Sequence, residues 1–261
     1  MAAIYLLKTI AFPVLFIAAI PSLATAERSR TDYVMSGNLK QQKGDLDGAI
    51  KDYSQAIRLS AKSRFQLYDL RGLARLEMGA SDRAIADFNR SIQLYPQYGE
   101  AYFDRGMAED LLRKWKSSLA DYRRSVELIS AAPLEGETTD YPHLNIWIVR
   151  TRLGDGETAN GELSTYLAQR DVNPPHDWIW KIGSYFLGAI TEENLLHAAI
   201  LRNAGTNRDS RCEAWYYIGI RKLLSGERKA AADCFRKSLA TKQSTSMEFI
   251  FSQSELEALR K

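Results

Sequence analysis

The stretch CEAWYYIGIRKLLSGERKAAADCFRKSLATKQST, residues 212–245, decides the fold of this chain. Counted from Cys212 as position 1, its large and small residues fall at fixed offsets: Trp215 at position 4, Gly219 at 8, Gly226 at 15, Ala231 at 20, Phe235 at 24 and Ser238 at 27. This spacing predicts two antiparallel helices that touch closely where Gly219 faces Ala231, with an aromatic wedge at either end. We therefore predict a helical hairpin over this stretch.

The same spacing recurs at three more places, with a period of about 34 residues. Frames that begin at residues 30, 65 and 99 again combine a glycine at position 8 with an aromatic residue at position 24, namely Gly37 with Tyr53, Gly72 with Phe88, and Gly106 with Tyr122. In the third of these frames, Arg113 stands where the others turn on glycine. The pattern resembles the tetratricopeptide (TPR) helical hairpin.

Two weaker units follow a break at 131–139, where proline, glycine and acidic residues interrupt the helical periodicity. They are placed by their turn glycines, Gly154 and Gly188. Trp147 stands where the first of them should have a small residue. Because well-formed repeats flank them on both sides, we predict that both units are degenerate hairpins.

A single hairpin cannot bury its apolar face alone, so such hairpins stack on their neighbours. We predict an all-α, right-handed TPR-type solenoid of about six hairpins with a C-terminal capping helix. Ser252 to Glu255 resembles a capping box and predicts that the capping helix begins there. The predicted segments are three hairpins at 27–130, a loop at 131–139, two degenerate hairpins at 140–211, a C-terminal hairpin at 212–245 and the cap at 246–261.

Residues 1–26 have the pattern of a secretory leader. Lys8 precedes an apolar run from Thr9 to Ile20, and Ala24-Thr25-Ala26 gives an A-x-A cleavage site. The run is shorter than the roughly 20 apolar residues that span a bilayer. We expect cleavage after Ala26 and a periplasmic mature protein, with an uncleaved membrane anchor as the alternative. No cysteine lies near the junction, so lipid anchoring is not expected.

Charged residues are nearly balanced, with 35 Lys and Arg against 32 Asp and Glu, and both signs are interspersed along the predicted helices. A nucleic-acid-binding face would need Lys and Arg concentrated together. We therefore expect no nucleic-acid partner, and we interpret the charge pattern as a solvated helix surface.

The second half carries a more particular resemblance. Its landmarks, in chain order, are WIVRTRLGDGE at 147–157, HDWIWKIGSYFLGAITEENLLHAA at 176–199 and CEAWYYIG at 212–219. This order is similar to that of the NlpI family of periplasmic TPR proteins. The resemblance implies a non-catalytic scaffold that brings a carboxy-terminal processing protease or cell-wall hydrolases to their partners. Members of that family are typically lipoproteins, and this sequence departs from them because it has no lipobox cysteine.

The resemblance to TPR proteins also implies where a partner binds, since positions 2, 5, 9, 12 and 13 of each first helix line the inner, concave surface. A groove that mixes aromatic residues with single polar groups suits an extended or helical peptide. The candidate partner-binding residues are Asn38, Asp69, Leu73, Phe103, Met107, Trp178 and Tyr216. The alternative, for the second half above all, is that these side chains pack against a neighbouring helix.

A clamp for a peptide's terminal carboxylate would need Lys or Arg at groove positions. Positions 5, 9 and 12 of the second half have neither, and the third repeat offers Glu100 and Asp104 instead. We therefore predict that the groove recognises apolar side chains or is bound along an edge, and that the chain is not a receptor for acidic chaperone tails.

Catalytic patterns are weak or missing. The three histidines, His143, His176 and His197, show no metal-ligand spacing, and His143 and His197 fall at hairpin packing positions. The sequence has no nucleophile elbow and no phosphate-binding glycine loop. We predict no catalytic residue, metal or cofactor. The prediction is a protein-binding scaffold of the cell envelope, with a self-associating structural or cell-division protein, such as a homodimer, and an enzyme as alternatives.

Cys212 and Cys234 lie in the same hairpin, at positions 1 and 23. Antiparallel packing makes their helices neighbours but leaves Cys234 about one turn away from Cys212, and a disulfide needs Cα atoms within roughly 7 Å. We favour two buried free thiols and leave the disulfide open.

Overall fold

The computed structural model describes residues 28–60, 64–134, 136–170, 177–202 and 210–260. Within these ranges the chain forms thirteen helices and no strand, which confirms the all-α prediction. None of these helices is both long enough and apolar enough to cross a bilayer. The leader predicted at 1–26 lies outside the described residues.

In chain order the helices are α1 (Arg30–Gln42), α2 (Leu46–Leu59), α3 (Phe65–Glu77), α4 (Ser81–Leu94), α5 (Gly99–Leu111), α6 (Trp115–Ala131), α7 (Asp140–Arg152), α8 (Gly156–Gln169), α9 (Trp178–Phe186), α10 (Glu192–Arg202), α11 (Ser210–Leu224), α12 (Arg228–Ala240) and α13 (Met247–Leu259). The first twelve pair consecutively into six hairpins, and each hairpin packs on the next. The twelve helices therefore stack as a solenoid, and α13 packs against α11 and α12.

The regular hairpins close through a glycine and an aromatic ring. A Cβ placed on Gly219 would lie 2.5 Å from Phe235 Cε1, and one on Gly72 would lie 2.5 Å from Phe88 Cε1. The same contact recurs in the first and third hairpins. The aromatic residue at position 24 therefore lies directly on the glycine at position 8. In the third hairpin the residue at position 20 is close as well, since the Ser118 carbonyl oxygen would lie 3.3 Å from a Cβ on Gly106. That Gly219 also faces Ala231 stays a prediction.

Each hairpin turns at position 15 through a residue in the left-handed region. Gly79, with φ at 81°, is typical, since glycine has no Cβ to clash there. The third hairpin makes the same turn with Arg113 at φ 59°, a conformation that costs a non-glycine residue about 1 kcal/mol. The Arg113 guanidinium reaches α13, where it contacts Glu255 Oε2 at 3.3 Å, and this contact offsets part of the backbone cost.

One large core runs from Leu76 in α3 to Leu256 in α13. At its centre Trp147 stacks on Phe186, with ring centroids 4.2 Å apart. The Trp147 indole N–H donates to Asn160 Oδ1 at 2.8 Å. Trp147 therefore joins α7 to α8 by a hydrogen bond and α7 to α9 by stacking, which replaces the glycine contact of the regular hairpins.

The last helix lies within the predicted cap segment, 246–261, but begins before the predicted capping box. α13 starts at Met247, and its N-cap Ser246 accepts a hydrogen bond from the Phe249 N–H at 3.2 Å. The capping box predicted at Ser252 is wrong, because Ser252 is fully buried in mid-helix and donates its hydroxyl to Ser238 Oγ at 2.9 Å. Because Ser246 already caps the first turn of α13, the hydroxyl of Ser252 can bond to Ser238 in α12 instead.

Cys212 and Cys234 are both free and buried, which confirms the preference for two thiols over a disulfide. Cys212 Sγ lies 3.3 Å from Ser238 Oγ. Burial raises the pKa of the Cys234 thiol to about 11, so this group stays protonated and unreactive near neutral pH.

Candidate functional site

A cleft of about 340 Å³ opens beside the first two hairpins. Helices α1 and α3 provide most of its lining, and Thr245, just before α13, completes it. The last segment of the chain therefore reaches the first two hairpins. We call this the N-terminal cleft, and its lining residues are Asn38, Gln41, Gln42, Tyr53, Leu70, Glu77 and Thr245.

The fold holds the polar groups of the N-terminal cleft in place. Because the Tyr53 ring lies against Gly37, its hydroxyl reaches Asn38 Oδ1 at 2.8 Å and Gln41 Oε1 at 2.7 Å. Gln41 Nε2 donates to Glu77 Oε1 at 2.6 Å, and burial raises the pKa of Glu77 to about 7. The Asn38 amide is exposed, so it can meet a ligand such as a peptide carbonyl.

Four carboxyl groups meet between α3, α5 and the loop that follows α6. Asp69 and Asp104 are buried and hydrogen-bond to each other, and Glu100 and Glu137 lie close enough to repel them or one another. The Tyr98 hydroxyl donates to Asp69 Oδ2 at 3.3 Å. We call Asp69, Glu100, Asp104 and Glu137 the carboxyl cluster.

The carboxyl cluster binds protons near neutral pH. Burial, followed by the charge of Glu100, raises the pKa of Asp69 to about 7. Burial, followed by the charge of Asp69, raises the pKa of Asp104 well above its usual range. Glu100 also has a pKa of about 7, because it is buried and lies near Glu137. A shared proton between Asp69 and Asp104 therefore stabilises the pair.

The structure separates the predicted partner-binding residues of the first half. Asn38 is exposed in the N-terminal cleft, whereas Asp69 is buried in the carboxyl cluster. Leu73 and Phe103 are half-buried and pack on the main core. Met107 is buried in that core.

Trp178 and Tyr216, predicted in the second half, are also buried. The Tyr216 ring lies 5.8 Å from the Phe251 ring and 6.4 Å from the Phe235 ring. Trp178 lies beneath the Arg202 guanidinium, 5.2 Å from the ring centroid. Both side chains pack against neighbouring helices, as the alternative reading of the second half expects, and a role for them in partner binding stays a prediction.

Arginines from the third and fourth hairpins form a pair at α13. Arg152 Nη2 donates to Glu255 Oε1 at 2.6 Å, and Arg113 Nη2 donates to the other oxygen of that carboxylate at 3.3 Å. The two guanidinium groups lie over the Trp115 ring, at 4.8 and 5.4 Å from its centroid. Neither arginine stands at position 5, 9 or 12 of a second-half hairpin, and the carboxylate that they hold comes from α13.

The sequence comparison of positions 5, 9 and 12 does not include position 13 of the first helix, which also lines the sites. It is occupied by Gln42 and Glu77 in the first two units and by Arg152 in the fourth. The first two line the N-terminal cleft, and the third holds Glu255. Position 13, taken together with positions 5, 9 and 12, therefore identifies Gln42, Glu77 and Arg152 from the sequence.

A second cleft, of about 550 Å³, lies between α6, α7 and α8. Val126, Ile146 and Tyr166 contribute to its lining. The His143 ring stacks on Tyr166 with centroids 3.6 Å apart, and His143 Nδ1 lies 2.7 Å from the Thr139 carbonyl oxygen. His143 therefore has the structural role that the sequence predicted.

His197, in contrast, is exposed on α10, so its placement at a packing position is wrong. Position 8 of that hairpin is Lys181, which leaves no gap for a ring at position 24. His176 lies outside the described residues. Within the described ranges, no group of three or more His, Cys, Asp or Glu side chains is arranged to hold a metal ion.

Comparison with known proteins identifies the repeats. The family model for the tetratricopeptide repeat matches residues 33–63 and 65–98, so the chain contains TPR repeats. Repeats of this kind stack into extended surfaces that bind other proteins, and they indicate a protein-protein interaction scaffold.

Two solved structures show the same fold over most of the chain. A tetratricopeptide repeat protein from Parabacteroides merdae ATCC 43184 is 17% identical, and the match covers 89% of this chain and 84% of that one, with a TM-score of 0.51. The match to the APC/C hetero-tetramer Cut9-Hcn1 is 14% identical and covers 87% of this chain and 46% of that one, with a TM-score of 0.53. Together with the thirteen described helices, they show an all-α TPR fold.

Proposed function

We propose that the chain is a non-catalytic scaffold that holds a segment of a partner protein in the N-terminal cleft. The observation that carries this proposal is the contrast between the two halves. The N-terminal cleft is open and its polar groups are fixed by Tyr53, whereas Tyr216 and the arginine pair are covered by α13. Preorganised donors and acceptors bind a peptide backbone at low entropic cost.

We place the partners in the cell envelope. The leader pattern at 1–26 supports export to the periplasm, with cleavage after Ala26. The resemblance of 147–219 to the NlpI family supports a carboxy-terminal processing protease or cell-wall hydrolases as the partner class. In this role the scaffold links such an enzyme to the protein on which it acts.

Affinity capture tests the proposal. The protein is immobilised as wild type, as an Asn38→Ala, Gln41→Ala variant of the N-terminal cleft, and as a Gln93→Ala control on the exposed surface of α4. Envelope extract is passed over each, and retained proteases and murein hydrolases are identified by mass spectrometry. We expect wild type and control to retain the same enzyme and the cleft variant to lose it. Equal retention by all three would place the contact elsewhere.

A second candidate function, self-association, is favoured by an exposed face of α1. Met35 and Leu39 are 65% and 51% exposed. They stand at positions 6 and 10, where α3 has Leu70 and the fully buried Ala74. In α3 these positions pack on the preceding hairpin, and α1 has no hairpin before it among the described helices. Another copy of the chain could cover this face.

Sedimentation velocity distinguishes this candidate. If the face of α1 joins two copies, wild type sediments as a dimer at high concentration and a Met35→Lys, Leu39→Lys variant as a monomer. A wild-type protein that stays monomeric throughout would remove the candidate.

A further inference from the structure

Glu255 occupies a built carboxylate-binding site. Its side chain is only 6% exposed, and its two oxygens meet different guanidinium groups, those of Arg152 and Arg113. The Trp115 ring beneath both arginines restricts their rotation and hydration. Hydrogen bonds between ionised groups in such a partly buried site are among the strongest that a carboxylate makes in proteins.

Arg152 has one donor that Glu255 does not use. Its Nε is buried and has no hydrogen-bond partner in the part of the chain that the structure describes. Glu255 meets this guanidinium through Nη2 alone. A carboxylate that approached side-on would engage Nε and Nη2 together, and this two-bond geometry is the stronger one. The site can therefore hold another carboxylate better than it holds Glu255.

The contact between α13 and the rest of the molecule mixes apolar and polar side chains. Phe251 and Leu256 are buried, with Met247 and Leu259 packed on the same core, and α13 also buries Glu248, Ser252 and Glu255. Buried polar groups are more common in contacts that form and break than in permanent ones. Residues 241–246 join α12 to α13 without a helix, so α13 can move away while both helices stay intact.

We propose that α13 is an internal ligand of the arginine pair, and that a partner segment with a carboxylate displaces it. The segment that fits is a helix with an aromatic residue one turn before the carboxylate. Phe251 sets this requirement, because it packs 5.8 Å from the Tyr216 ring and precedes Glu255 by four residues. The site is separate from the N-terminal cleft, and the proposal rests on the proposed function only in that the partner is a protein.

A peptide with the sequence of residues 246–261, fluorescently labelled and amidated at its C-terminus, serves as the probe. Its affinity is measured by fluorescence anisotropy for the full chain as wild type, as Glu255→Gln and as a matched control, Glu257→Gln, in which an exposed carboxylate of the same helix is removed. We expect Glu255→Gln to bind the peptide about tenfold more tightly than wild type, because the tethered competitor has lost its charge-assisted hydrogen bonds. The control should match wild type.

Adding Arg152→Gln to the Glu255→Gln chain should abolish peptide binding, which ties the peptide to the arginine pair. A folded Glu255→Gln chain that does not bind the peptide, or equal binding by all chains, would overturn the proposal. If the variant is unstable, hydrogen exchange of the wild-type protein tests the proposal instead. The amides of α13 in wild type should exchange faster than those of α11, and exchange of α13 only with global unfolding would show that α13 is a fixed structural cap.

Discussion

At the residue scale, the glycine at position 8 sets the distance between the two helices of a regular hairpin. The sequence identified this position and the aromatic position 24, but it did not show that the aromatic ring lies directly on the glycine. Which large residue lies on which small one depends on how each helix is rotated about its axis, and spacing along one chain does not determine this rotation.

Replacing Gly72 by alanine should destabilise the protein by about 2 kcal/mol, because the fully buried Phe88 ring has no room to move away from the new methyl group. The control is Gly161→Ala in α8, where nothing lies within 4 Å of the added Cβ. This change should stabilise by about 0.5–1 kcal/mol through helix propensity. Urea denaturation measures both, and equal effects of the two variants would contradict the packing account.

Protonation of the carboxyl cluster makes stability depend on pH. Asp69 has a pKa of about 7 in the folded protein against an ordinary value of 3.8, and the pKa of Asp104 is raised as well. The folded state therefore binds protons more tightly than the unfolded state. The stability that these groups contribute is fully present below about pH 4 and is lost as the pH rises through about 7.

Asp104→Asn should therefore raise the free energy of unfolding by about 2 kcal/mol at pH 8 and change it little at pH 4. Denaturation at the two pH values measures this, with Asp82→Asn on the exposed surface of α4 as the control. A variant that is less stable than wild type at pH 8 would show that the buried carboxylate is needed in its charged form.

At the element scale, Arg170 joins the two degenerate hairpins. Its guanidinium donates to Asp140 Oδ1 at 2.8 Å at the start of α7, and to Asp177 Oδ1 at 2.6 Å just before α9. The Asp177 carboxylate also accepts from the Trp180 N–H at 3.0 Å and so caps α9. The sequence placed these hairpins by turn glycines, but it did not reveal that Arg170 joins two carboxylates that lie in different parts of the chain.

Arg170→Gln should cost about 3 kcal/mol, because it leaves two carboxylates without their shared cation. The matched control is Arg236→Gln in α12, whose ion pair with Asp233 is exposed on both sides and should change stability by about 0.5 kcal/mol or less. Thermal unfolding measures the loss of stability in both variants. A loss no larger than that of the control would mean that Arg170 does not hold the joint.

At the scale of the whole molecule, the sequence predicts the features that repeat along the chain. It does not predict the contacts between residues that are far apart in the sequence. Hairpins, turns and the all-α class follow from offsets within about 34 residues. Arg113 and Arg152 contact Glu255, and Thr245 lines a cleft beside the first two hairpins, so these residues meet although they are far apart in the sequence. Periodicity describes contacts between neighbouring repeats and carries no information on such long-range contacts.

The long-range contacts of α13 also explain why the candidate site could be predicted only in part. Asn38 was placed at an open surface from its position in the repeat, and it lies there. Trp178 and Tyr216 were placed by the same rule, yet they are buried, because the degenerate hairpins and α13 cover positions that stay open in a regular solenoid. In the first half the same rule places Asn38 at the surface, but Asp69 and Met107 are buried, so repeat position alone does not decide which side chains stay open.

The central claim is that a partner protein binds in the N-terminal cleft, and site-specific photo-crosslinking in an exporting host tests it most directly. A photoreactive residue is introduced at Asn38 in one chain and at Gln93, on the exposed surface of α4, in another. We predict a crosslinked envelope protein at position 38 and none at position 93. Crosslinks at position 93 alone, or at neither position, would contradict the account.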